Sequence, residues 1–190
     1  MTSLDEPVNY IDPNEVSPQN TIVRFGLIGG LGLVIYGLIG ILTGFSNPAA
    51  GFISIIINSL IVVVLYVGLL VFAVKKHRDQ ELGGFIKFGR AFMVAFLVGL
   101  VTALISTIFN YAYLNFVDPD YLNTIAEGTV EMYEGFGLTE EEIEPLVEKI
   151  KEGGSLTSQL TNLALGTGVG AVLCLIIAAV MKKEQPQTAE

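Results

Sequence analysis

Four long apolar runs, none containing a Lys, Arg, Asp, Glu or His, constrain this chain more than any other feature. They are Phe25–Phe45, Phe52–Val74, Ala91–Val117 and about Leu160–Met181. A helix needs about 20 predominantly apolar residues to cross a hydrocarbon core of about 30 Å. Inside a bilayer the backbone has no water to bond to, so runs of this length must be helices. The soluble alternative would bury four such helices all round beneath a polar surface. Hydrophobic residues make up 52% of the chain and charged residues 15%, where an ordinary soluble domain has about a quarter charged, so that surface is not available. The expected fold is all-α: a four-helix transmembrane bundle with a short extramembrane amphipathic helical hairpin between spans three and four.

The connections differ in character. Ser46–Gly51 (SNPAAG) is short and uncharged, with Asn47-Pro48 and Gly51 as turn residues, so spans one and two form an antiparallel hairpin. Lys75–Arg90 carries Lys75, Lys76, Arg78, Lys87 and Arg90 against Asp79 and Glu81, and Gly83-Gly84 breaks it. Phe85, Ile86 and Phe88, interleaved with Lys87 and Arg90, read as an interfacial lead-in to the third span. The third connection, Asp118–Leu156, contains two helical stripes. Leu122, Ile125, Ala126, Thr129, Met132, Tyr133 and Phe136 form the first, and Ile143, Leu146, Val147 and Ile150 the second. Thr139 with Glu142 is a capping-box pattern. Pro145 is expected to kink or delay the second helix. This divides the chain into a polar acidic tail (1–23), a four-span membrane domain (24–183) with its acidic segment at 118–156, and a polar tail (184–190). The first tail, rich in Pro, is expected to be disordered or loosely attached.

Charge sets the orientation. With four spans, both termini share a side with the second connection. That side holds eight basic residues: Arg24, Lys75, Lys76, Arg78, Lys87, Arg90, Lys182 and Lys183. The third connection holds eleven acids against Lys149 and Lys151, a net of −9, which is the whole net charge of the protein. The positive-inside rule then places both termini in the cytoplasm and the acidic segment outside. An acidic chain lacks the basic face that nucleic acid requires, so no nucleic-acid partner is expected. Membrane lipids are, together with a homo-oligomeric or membrane-protein partner.

Small residues mark possible helix-packing positions: Gly26, Gly30 and Gly37 in the first span, Gly99 and Ala103 in the third, Gly166 and Gly170 in the fourth. Close backbone approach at such residues supplies contact where no hydrophobic force acts between helices. They serve packing within one bundle or, alternatively, a homo-oligomer seam. The second span, with Gly68 as its only Gly, is expected to face lipid. Asn58, Asn110 and Thr167 bond between helices or, alternatively, line a polar path. No ionisable residue sits within a span, which counts against an intramembrane proton relay.

No catalytic constellation emerges. Gly166-x-Gly168-x-x-Ala171 fits a dinucleotide fingerprint as a string but lies inside a span with no preceding strand. His77-Arg78-Asp79 lacks the other parts of a kinase loop. His77 and Glu81, four apart, are too few to close a metal site, and His77 reads as a solvated interfacial residue. Cys174, the single cysteine, lies within a span. The acidic segment has no calcium-loop pattern. No enzyme activity, cofactor or metal is expected.

The lead-in FIKFGRAF and the exit NYAYLNFVDPDYL around the third span resemble an uncharacterised family of small four-span membrane proteins common in Bacteroidetes, known mainly as a domain of unknown function. The resemblance covers nearly the whole chain. It implies a bacterial inner-membrane protein and brings no catalytic residues. The expected role is a non-catalytic structural or interaction protein using its acidic helical segment. The alternative is a small oligomeric transporter or channel.

Overall fold

The computed structural model describes residues 15–184. They form six α-helices: α1 (Gln19–Leu42), α2 (Phe52–Lys76), α3 (Phe88–Ala112), α4 (Tyr121–Gly135), α5 (Glu140–Lys151) and α6 (Leu156–Met181). No β-strand occurs among the described residues. Four of the helices are long and apolar enough to cross a membrane. The fold is therefore the expected all-α bundle with a helical hairpin, α4–α5, between the third and fourth spans.

Local chemistry explains most of the ends. Gly44 and Gly51, at φ 70° and 92°, turn the chain between α1 and α2. Asn47 accepts the Ala49 N–H at 2.9 Å and fixes that turn. The α3 helix runs on through a π turn, Tyr113–Val117, and stops at Asp118, whose backbone (φ −141°, ψ 81°) is pushed out of the helical region by Pro119. Ser155 caps α6 by accepting the Ser158 N–H at 3.2 Å.

Several helix boundaries differ from the apolar runs. The α1 helix begins at Gln19, not Phe25, so 19–23 belong to a helix rather than to the tail, and Thr21 and Ile22 are buried. Its polar first turn lies beyond the apolar run and is stabilised by contacts no hydropathy pattern reports. The α6 helix likewise begins at Leu156, because the Ser155 cap starts it before the apolar run does. The α5 helix begins at Glu140 and passes through Pro145, so the expected delay does not occur. The Glu141 carbonyl that would have accepted the missing N–H belongs to an exposed residue, as does Pro145, so the loss is tolerated. The expected disorder of the first tail falls largely on residues 1–14, outside those described.

The α3 helix is the centre of the bundle. It packs most extensively on α1 and α6 and also contacts α2. The core joins Leu70, Ala73 and Val74 of α2, Ala91, Val94, Ala95 and Val98 of α3, and Cys174, Ile177 and Ala178 of α6, with Ile22 of α1. All lie toward the end that carries the basic connection. At the opposite end α1 and α2 flank an open groove of about 470 Å³, lined by Tyr36, Ile39, Gly40 and Ile61 among others. In the most apolar window of α2 only 6% of residues are buried, against 22–28% in the other spans. The α2 helix thus turns most of its surface outward.

The basic end is closed by an unexpected contact. Ile86 and Lys183 exchange backbone hydrogen bonds, each at 2.9 Å. Ile86 is 2% exposed, and the Lys183 ammonium sits over the Phe85 ring at 5.2 Å. The expected interfacial lead-in therefore has one member, Ile86, folded into the core. The chain beyond α6 covers it.

Candidate functional site

Two parts of the molecule carry polar side chains in an organised way: the α4–α5 hairpin at the acidic end and a buried cluster at the basic end.

The hairpin is fastened to the bundle at three points. First, α4 crosses the α1–α2 turn so closely that a Cβ at Gly128 would sit 2.9 Å from the Ala49 backbone N and would also collide with Asn47. Second, Phe136, at the tip, packs edge-on against Phe52 at the start of α2, with centroids 6.0 Å apart. Third, Asn115 donates to the Gly154 carbonyl at 3.0 Å and Gln159 donates to the Gly153 carbonyl at 2.8 Å, tying the end of α5 to α3 and α6. Within the hairpin Ile143 is 2% exposed, the anchor of the α5 stripe. The Thr139–Glu142 capping box is formed, and the Thr139 N–H and hydroxyl hold the Glu142 carboxyl below the usual carboxylate range. Of the eleven acids in the segment, all but Asp118 are exposed. The result is a fixed acidic surface with Ala126 and Ile143 turned inward and Phe136 and Leu146 exposed.

The basic-end cluster is one chain of hydrogen bonds across three elements. The α2 helix continues as a π turn, His77–Glu81. There the Thr21 hydroxyl of α1 donates to Glu81 Oε1 at 2.5 Å. Glu81 Oε2 lies 2.7 Å from His77 Nδ1. On the other side of the ring, Arg90 Nε of α3 donates to His77 Nε2 at 3.1 Å. The Arg90 Nη2 group also donates to the Val16 carbonyl just before α1. Arg78 pairs with Asp79 at 2.7 Å and donates to the Met181 carbonyl at 3.2 Å. His77 is fully buried, which corrects the reading of it as solvated. It lies beyond Lys75-Lys76, outside the apolar span. Burial pulls its pKa below the ordinary imidazole value, Arg90 adds to this, and Glu81 opposes it. Sequence inspection missed the cluster because Thr21, His77 and Arg90 come from three separate segments. Only the i, i+4 spacing of His77 and Glu81 signalled part of it. Among the described residues no group of three or more His, Cys, Asp or Glu could hold a metal ion.

The candidate packing positions divide. A Cβ on Gly26 would lie 2.5 Å from Val101 Cγ1, and one on Gly30 2.6 Å from Ile105 Cβ, so both mark the α1–α3 seam. The Tyr66 hydroxyl of α2 occupies the space a Cβ on Gly99 would need and approaches Gly170. Ala103, Gly166 and Thr167 line a small cavity of about 20 Å³ there. Gly37 and Gly166 have open space where a Cβ would go, so neither is a close-packing point within the bundle. Gly29, against Leu69 and Thr102, is a packing glycine the sequence reading did not select.

The polar-path candidates are not brought together. Asn58 accepts from the Tyr36 hydroxyl at 2.7 Å between α1 and α2. Asn110 donates to Gln159 at 3.4 Å between α3 and α6. Thr167 faces the small cavity at Tyr66. Two are separate interhelical hydrogen bonds, and the third lines a cavity elsewhere in the bundle.

Fold, apolar spans and charge distribution define a multi-pass helical membrane protein. Residues 24–183 match the model of a family described as "Protein of unknown function (DUF4199)", and the chain belongs to that family. This is an uncharacterised domain family of the kind the lead-in and exit motifs pointed to. No curated protein and no solved structure matches the chain significantly.

Proposed function

We propose that this protein is a non-catalytic structural or interaction protein of the cell inner membrane, with both termini in the cytoplasm, and that it meets a membrane-protein partner through its outer acidic hairpin. The observation that carries this is the anchoring of α4–α5: fixed at Gly128, Phe136 and Gly153-Gly154, it holds ten exposed carboxylates in place. A surface that is already ordered loses little conformational entropy on binding, and its charge favours a basic partner surface and fast encounter. Basic residues concentrated at the opposite end support the orientation.

The test is site-specific photo-crosslinking in intact membranes. A crosslinker replacing Glu141 on the hairpin should yield a discrete protein adduct. One replacing Val64, on the lipid-facing side of α2, should yield lipid adducts alone. Changing Glu140, Glu144 and Glu148 to Gln should abolish the hairpin adduct while leaving membrane insertion intact. An adduct pattern identical at both positions, or unchanged by those substitutions, overturns the proposal. The transporter reading has less support, since Asn58 and Asn110 bond in separate interhelical pairs and Thr167 lines a different cavity. Solute flux in reconstituted vesicles that is lost in Asn110→Leu would reinstate it.

A further inference from the structure

We infer that the basic end of the bundle carries a proton-sensitive latch, in which neutral His77 holds Arg90 and Arg90 in turn holds the chain segment that enters α1. The tautomer follows from the partners. A guanidinium has only donors, so the ring nitrogen it meets must carry the lone pair. Arg90 Nε donates to His77 Nε2 at 3.1 Å, which makes Nε2 the acceptor. The proton is then assigned to Nδ1, which donates to Glu81 Oε2 at 2.7 Å.

An added proton has only one place to go, Nε2. It removes the acceptor that Arg90 uses and sets an imidazolium against a guanidinium with one carboxylate facing them. The charged groups that face the ring are Glu81 from its own π turn and Arg90 from α3. The α1 helix contributes Thr21, uncharged, through Glu81. At the α6 end the Met181 carbonyl is taken by Arg78, which is paired with Asp79. Lys76 lies over the Phe25 ring. No second acid in this set compensates the new charge, and full burial keeps water from doing so.

Arg90 is also the tether of Val16, whose side chain packs against the core at the start of α1. When His77 is charged, Arg90 turns away, the Val16 carbonyl loses its donor, and residues 15–18 at the entry to α1 come free. Burial favours the neutral ring, so the latch is closed at neutral pH and opens only as pH falls below the ordinary imidazole value of about 6.5.

His77 is the only histidine in the protein, so imidazole nitrogen-15 NMR of the full chain in nanodiscs reports on it alone. At about pH 8 the expected signal is the Nδ1–H tautomer, and the titration midpoint should lie below about 6.5. In parallel, hydrogen exchange at residues 16–22, corrected for intrinsic chemistry, should stay flat above that midpoint and rise as His77 becomes protonated through it, because Arg90 then releases the Val16 carbonyl. An Nε2–H tautomer, a midpoint at or above 6.5, or exchange that does not follow the titration overturns the latch. In Arg90→Gln the entering segment should exchange fast at every pH. Should that variant fail to fold, the tautomer and midpoint of the native chain still decide.

Discussion

At the scale of single residues, two glycines of α1 show how far a small-residue pattern can be read. Gly30 and Gly37 belong to one series along the first span, yet a Cβ on Gly30 would meet Ile105 at 2.6 Å while one on Gly37 would meet nothing within 4 Å. Helix association in lipid depends on van der Waals contact at such points. Gly30→Val is therefore expected to cost about 2 kcal/mol through overpacking. Gly37→Val should stay within about 0.5 kcal/mol. Thermal unfolding in mild detergent, with both variants side by side, checks this. Equal losses would mean that α1 meets α3 on a different face. His77 teaches the converse. Next to Lys75, Lys76 and Arg78 it looks like a wet residue, and its burial depends on Thr21 and Arg90, which lie 56 residues before it and 13 after it.

At the scale of elements, the helix ends were the most legible where a local side chain makes them. The Thr139–Glu142 box is present as read, since both partners lie within one turn. Its pH behaviour follows from the depressed Glu142 carboxyl. A carboxyl lowered in the folded state contributes stability that is present above its unfolded value of about 4.3 and lost as pH falls through the folded value. Acidification from neutral pH is thus expected to loosen the first turn of α5, seen as faster amide exchange at residues 140–143. Glu142→Ala should show that loosening already at neutral pH and a flatter response to acid. An unchanged acid response in the variant would assign it to another carboxylate. The start of α1 was not legible, because Gln19–Val23 is polar enough to resemble the tail and is ordered by contacts with the basic-end cluster.

At the scale of the whole molecule, charge and packing divide the bundle between its two ends. The core from Leu70 to Val98 and from Cys174 to Ala178 gathers at the basic end, which the Ile86–Lys183 pairing covers. The other end supports the acidic hairpin. A reporter fused after Lys183 is expected to be active only in the cytoplasm, and activity on the far side would invert the proposed orientation. A second reporter placed in the Phe136–Leu138 turn should give the opposite result.

Sequence alone determined that four helices span, that a capped helical hairpin joins the third to the fourth, and that charge separates the ends. Each of these depends on how a short stretch partitions between water and hydrocarbon, or on hydrogen bonds closed within a turn, and both are local properties. Tertiary structure alone decided that α3 is met at Gly26 and Gly30 and not at Gly37, that the polar-path residues stay apart, and that His77 is enclosed between Glu81 and Arg90. Between helices in lipid, contact is set by the fit of surfaces distant in sequence, and a composition that is apolar on every face does not specify which face will meet which.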